Sequence, residues 1–167
     1  MQLSPQRRYV GLDFETTGLD TQKDEPIQIG LVEMDHEGNI IRQFSSYLKP
    51  QKNVAALKDI VGFVTWLSLA DLQDAPSCQD VHEDVLHFIS KKTILIGHNI
   101  SFDISFLQRF FPGAEFAYSI DTFTRAQSLL HYQPSYALEV LVEGLLRDQQ
   151  FLTLAQKWWL TGTQHHD

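Results

Sequence analysis

Hydrophobic positions alternate with polar ones through the first strands of the chain and later recur at helical spacing. Tyr9 to Glu15 reads as a first strand. Ile27, Ile29 and Leu31 alternate inside a second strand ending at Asp35, and His36-Glu37-Gly38-Asn39 has the composition of a hairpin turn. Ile40 to Leu48 is a third strand, ended by Pro50. Strands joined by turns this short are antiparallel neighbours. Gln51 to Pro76 is less regular: Asp59 to Val64 predicts a turn exposing Phe63, and Ser68 can cap a short helix through Leu72 that Pro76 ends. Val81, Val85, Phe88 and Ile89 then share one helical face, and Thr93 to Ile96 is a short buried strand. Phe102, Phe106, Leu107 and Phe110 mark a helix stopped before Pro112, with Phe106 and Phe110 in the core. Phe116 to Ile120 predicts a fifth strand, and Ser135 caps a helix carrying Leu138, Leu141, Val142 and Leu145. Gln150 to Leu160 predicts a last helical stretch in which Trp158 and Trp159 pack. Strands first, then helix and strand in alternation, is an α/β pattern on a mixed sheet.

A chain of 167 residues can bury one sizeable core. Residues 1–8 read as a flexible tail and 9–167 as the folded domain. The single cysteine, Cys78, excludes an internal disulfide and fits a reducing compartment. With no signal peptide and no apolar run of spanning length, a cytoplasmic protein is expected. The formal net charge of -8 argues against broad, phosphate-driven nucleic-acid binding, which needs a basic face. An enzyme that meets a nucleic-acid end through metal ions stays open, because metals would offset several of the 21 acids.

Candidate chemistry collects in four stretches. In Val10-Gly11-Leu12-Asp13-Phe14-Glu15-Thr16-Thr17-Gly18, two carboxylates stand two positions apart at a strand end, hence on one face. They repel each other unless a hard divalent cation lies between them; taken alone, such a pair is more often two solvated surface acids. In Gly97-His98-Asn99-Ile100-Ser101-Phe102-Asp103 a strand stops at glycine and an acid opens the next helix, where the helix dipole alone would favour it. Ser135-Tyr136-Ala137-Leu138-Glu139 and the final Gln164-His165-His166-Asp167 complete the set.

Together and in this order these motifs resemble the DEDDh family of 3′–5′ exonucleases, most of all the proofreading (epsilon) subunits of bacterial DNA polymerase III and their stand-alone relatives. The resemblance runs from about Tyr9 to the end. It implies a ribonuclease H-like fold, a mixed five-stranded sheet flanked by helices. It also implies hydrolysis of phosphodiester bonds with two Mg²⁺ or Mn²⁺ ions. On that pattern Asp13 bridges both metals, Glu15 joins the nucleophile-side metal, Asp103 serves the other, and His166 is the general base, with His165 as the alternative. Thr16, Thr17 and Leu19 would line the terminal nucleotide, and His98, Asn99, Phe102 and Phe63 would lie nearby, with Phe63 or Trp66 as a stacking face.

The chain also departs from that pattern. The family His is followed about five residues on by a fourth acid, whereas here Asp167 directly follows His166. The segment between Leu138 and His166 is also longer than in the proofreading subunits. A domain truncated at its C-terminal end is therefore expected. Asp121 tempts as a replacement ligand, but it ends a strand and starts a helix, where a cap or dipole role suffices. The expected partners are a single-stranded or frayed nucleic-acid 3′ end and a DNA polymerase or other repair protein. An RNA exonuclease of the same family is an alternative, because the choice rests on whether the pocket admits a 2′-hydroxyl. A non-catalytic module that binds a replication or repair partner is another.

Overall fold

Alternation sets the sheet. The computed structural model describes residues 7–51, 69–130 and 135–146. Its first three strands, β1 (Arg8–Thr16), β2 (Pro26–Met34) and β3 (Ile40–Tyr47), are antiparallel neighbours. Asp35 makes the β2–β3 hairpin: its carboxylate accepts the backbone N–H groups of Glu37 and Asn39 at 2.8 and 2.9 Å, and Gly38 supplies the φ of 91°. β4 (Thr93–Gly97) then pairs parallel to β1, and β5 (Tyr118–Asp121) parallel to β4. The order is β3-β2-β1-β4-β5, so β1 is the central strand of a mixed five-stranded sheet, as expected.

The helices are α1 (Leu69–Gln73), α2 (His82–Phe88), α3 (Ser101–Phe110), α4 (Thr122–Leu129) and α5 (Leu138–Leu146). Val10, Leu12 and Phe14 of β1 share one core with Val85 and Phe88 of α2 and with Phe106 and Leu107 of α3. Phe14 meets Phe106 and Phe111 at ring-centroid distances of 6.3 and 6.1 Å. Beside this core, Glu33 accepts both Arg8, at 2.7 and 2.8 Å, and Arg42, at 2.6 Å. Both guanidinium groups also donate to the carbonyl of His87, so α2 is fastened to three strands at once. Among the described residues no helix is long and apolar enough to cross a membrane.

The chain divides into two compact units, residues 1–121 and 122–167. In the second, the Tyr136 hydroxyl donates to the carbonyl of Leu130 at 2.6 Å, and its ring meets Phe123 edge-on.

Several expected boundaries move, for local reasons. β1 begins at Arg8, which is held by Glu33. β5 runs Tyr118–Asp121, where Phe116 to Ile120 was expected, because pairing with β4 sets both its ends, Ile94 against Tyr118 and Gly97 against Asp121. Phe116 packs against the core instead. Ser135 stands two residues ahead of the position before α5; its hydroxyl accepts the N–H of Ala137, whose carbonyl takes the first helical bond, from Leu141. Phe63, Trp66, Ser68, Trp158, Trp159 and the Gln150–Leu160 stretch lie outside the described residues.

Candidate active site

β4 accompanies β1 only from Arg8 to Gly11. Past that point no strand among the described residues lies beside the β4-facing edge of β1, and Asp103 fills the place: its Oδ1 accepts the backbone N–H of Phe14 at 2.9 Å. Phe14 sends its ring into the core, so its neighbours Asp13 and Glu15 share the opposite face. A side chain 89 positions away thus reaches the backbone N–H of the residue between the two strand acids. Asp103 is only 5% exposed, whereas Asp13 keeps an open path to solvent.

Gly97 makes this approach possible. A Cβ there would stand 2.9 Å from Ile100 Cγ1 and 3.0 Å from the carbonyl oxygen of Leu12, so only glycine lets the chain leave β4 tight against β1. Asn99 then takes the left-handed conformation, φ 62°, that asparagine tolerates better than most residues. Its N–H donates to Asp121 Oδ1 at 2.9 Å, and its carbonyl accepts the N–H of Phe102 at 3.1 Å. Asp121 therefore organises the turn before α3.

The electrostatics come from the crowding. Burial raises Asp103 to about 7, the negative charge of Asp13 pushes the same way, and the Phe14 N–H opposes them. Burial also raises Glu15 to about 7, again with help from Asp13. Burial by the surrounding protein atoms raises the Asp13 carboxyl as well, although the residue keeps exposed surface. Glu15 and Asp103 are each harder to ionise because Asp13 is near, which is the signature of an uncompensated anionic cluster.

The turn after β1 is tightly knit. Thr16 Oγ1 donates to the carbonyl of Gly18 at 2.7 Å. Thr17 is buried, and its hydroxyl donates to Asp24 at 3.2 Å while accepting the N–H of Glu25 at 3.0 Å. That hydroxyl is thus engaged within the turn itself. Leu19 is 85% exposed. His98 is half-buried and Asn99 exposed, and Phe102 leans on Phe106 with centroids 5.0 Å apart. Phe63, His165, His166 and Asp167 lie outside the described residues. The parts played by Asp24 and Asp121 were missed in the sequence; an acid at a strand end was visible, but not which distant amide it would hold.

Among the described residues no group of three or more His, Cys, Asp or Glu side chains is arranged to hold a metal ion as it stands. The donor chemistry nevertheless suits a hard cation. Mg²⁺ is ordinarily bound by one or two carboxylates together with waters and substrate phosphate, not by an all-protein cage.

The mixed five-stranded sheet flanked by helices is a ribonuclease H-like fold, and comparison with known proteins gives the family. The family described as exonuclease, of the RNase T type, matches residues 10–150, and the chain belongs to it. It is 34% identical over 142 residues to the PolC-type DNA polymerase III of Thermotoga petrophila, covering 82% of this chain and 10% of that protein. It is 34% identical over 99 residues to the DNA polymerase III epsilon subunit of Treponema pallidum, covering 59% of this chain and 44% of that one. The chain thus spans about a tenth of the length of the PolC-type relatives it matches. In fold it is similar to E. coli exonuclease I solved with a dT13 oligonucleotide, with a TM-score of 0.63 and 19% identity over 83% of this chain and 35% of that one.

Proposed function

We propose that the chain is a 3′–5′ exonuclease that removes nucleotides from single-stranded or frayed DNA ends, using divalent metal ions held by Asp13, Glu15 and Asp103. The observation that carries this reading is the hydrogen bond from Phe14 N–H to Asp103, which gathers three mutually repelling acids in a chain of the exonuclease family. Two Mg²⁺ or Mn²⁺ ions would supply the charge neutralisation and water activation that an anionic phosphodiester demands. Asp13 is exposed and its charge acts on both Glu15 and Asp103, so it would be the residue to hold both ions, with Glu15 and Asp103 each holding one. Asp103 is oriented by the Phe14 N–H, which fixes one oxygen and leaves the other to act. His166, by its place in the motif order, would take the proton of the attacking water, since neutral imidazole titrates near working pH. Leu19 and the turn beneath it, with His98 and Asn99, would receive the terminal nucleotide. The polymerase III relatives point to a DNA polymerase as the protein alongside which it works.

The test is digestion of 3′-labelled and 5′-labelled single-stranded DNA and RNA in Mn²⁺, with EDTA as control. Label should leave the 3′ end first, as mononucleotide, while the 5′ label descends a ladder; Asp13→Asn should do neither. Release from the 5′ end, or indifference to EDTA, would refute the reading. Faster RNA digestion would move the substrate to RNA, and no digestion at all would leave a binding module.

A further inference from the structure

Residues 17 to 25 form a closed turn. Its ends are tied by Thr17 N–H to the carbonyl of Glu25 at 2.9 Å, and its interior is organised by Asp24. Asp24 accepts the Asp20 N–H at 2.8 Å and the Thr17 hydroxyl at 3.2 Å, and gives its own N–H to the Asp20 carbonyl at 2.7 Å. Gly18 packs so closely on the Asp24 carboxylate that a Cβ there would collide with it. An exposed leucine by itself means little. Leu19, however, stands out from a turn whose backbone is bonded underneath it.

That turn is also tethered from outside. Arg109, in the last turn of α3, donates from Nη1 to the carbonyls of Thr21 at 2.8 Å and Asp24 at 2.9 Å. Its guanidinium lies over the Phe110 ring, 4.6 Å from the centroid. Backbone carbonyls carry no net charge, so what Arg109 contributes is position. The same helix carries Asp103 in its first turn. One helix therefore holds β1 beside its acids through Asp103 and the turn that follows β1 through Arg109.

We propose that Arg109 is a positioning residue for the terminal nucleotide: it ties the Leu19 turn to the helix that carries Asp103, so substrate and acids are held in one frame. The proposal rests on the exonuclease reading above. The turn would meet the terminal nucleotide in the ground state and the transition state alike, so a turn that drifts from α3 would loosen both. Asp24 does the same work from inside the turn.

Two variants separate this from a general structural role. Arg109→Met keeps the stem over Phe110 and removes the donors; Arg109→Lys keeps the charge and one donor group. Amide hydrogen exchange of the 17–25 segment, thermal melting, and kcat and KM on 3′-labelled oligo(dT) in Mn²⁺ are measured for each. Arg109→Met should speed exchange in 17–25 alone and raise KM on the order of tenfold, with kcat within about twofold, as expected for lost uniform binding. Arg109→Lys should fall between it and the wild type. Leu19→Ala should add little to KM once Arg109→Met is present, because the two act as a unit. Unchanged exchange, faster exchange with unchanged KM, or faster exchange throughout with a lowered Tm would each overturn the proposal. A wild-type chain that releases no nucleotide would overturn the exonuclease reading and the substrate role with it, while exchange would still report whether Arg109 tethers the turn.

Discussion

Asp103 does two things that pull against each other. Its carboxylate satisfies a buried N–H, which favours folding, and its charge lies beside Asp13 and Glu15, which opposes it. Asp103→Asn keeps an acceptor for the Phe14 N–H and removes the charge, so without metal it should melt above the wild type at pH 8. Asp103→Ala removes the acceptor and should cost about 1–3 kcal/mol. Both should lack nuclease activity, and a melt that ranks the alanine variant above the asparagine one would contradict this account. The pH dependence has a definite sign. Glu15 and Asp103 are raised to about 7 in the fold from ordinary carboxylate values, so the folded state binds more protons than the unfolded chain between about pH 4.5 and 7. Stability should therefore fall across that window and level off above it. Asp20, Asp35, Asp80 and Glu33 are held low by hydrogen-bond partners and contribute only in more acid solution. Mn²⁺ should raise Tm more at pH 8 than at pH 5, where protons compete for the same oxygens.

At the scale of elements, the end of β4 decides where the site lies. Had β4 run on beside β1, the Phe14 N–H would have a strand partner and Asp103 no place to dock. Gly97→Ala should disturb this directly, because one of the three atoms its Cβ would meet is a backbone oxygen that cannot swing away. Overpacking of this kind typically costs about 1–3 kcal/mol. Activity should fall further than stability does, since α3 must shift and carries Asp103; equal losses in melting and in kcat/KM would argue otherwise. Much of this was legible in the chain. Alternation in Val10–Glu15 and Ile27–Leu31 predicts the strands, and Asp13 and Glu15 sharing a face is a consequence of a period of two. The break at Gly97 and the acid after it were equally plain. The docking of Asp103 on Phe14 was not, and neither was the Arg109 tether to Asp24 across 85 positions. Such contacts depend on which elements the fold brings together, and no local pattern records them. The burial of Thr17 was hidden for the same reason, since its partners Asp24 and Glu25 come from the far side of the turn.

At the scale of the whole molecule, charge works against a polyanionic substrate. With a formal net charge of -8, the chain should gain little from displacing counterions along a nucleic-acid strand. Binding of a 3′-phosphorothioate oligo(dT), followed by fluorescence anisotropy, should depend only weakly on monovalent salt, with a log–log slope shallower than about -2. It should depend strongly on Mn²⁺. A steep salt slope without divalent ions would mean that a basic surface, not the acid cluster, receives the strand.

The alternation of β1 also constrains how this chain can change in length over generations. The pairing of β1 with β2 is regular from Tyr9 to Glu15, and its register shifts only between Glu15 and Thr16. Loss of a single codon from Gly11 to Asp13 would reverse the parity of the rest of the strand, turning an acid toward the core and Phe14 toward solvent. Past Glu15 the ladder already accommodates an irregularity, and an extra codon there would lengthen a turn without inverting a strand. Natural insertions and deletions among such chains should therefore cluster after Glu15 and be rare in the residues leading up to Asp13.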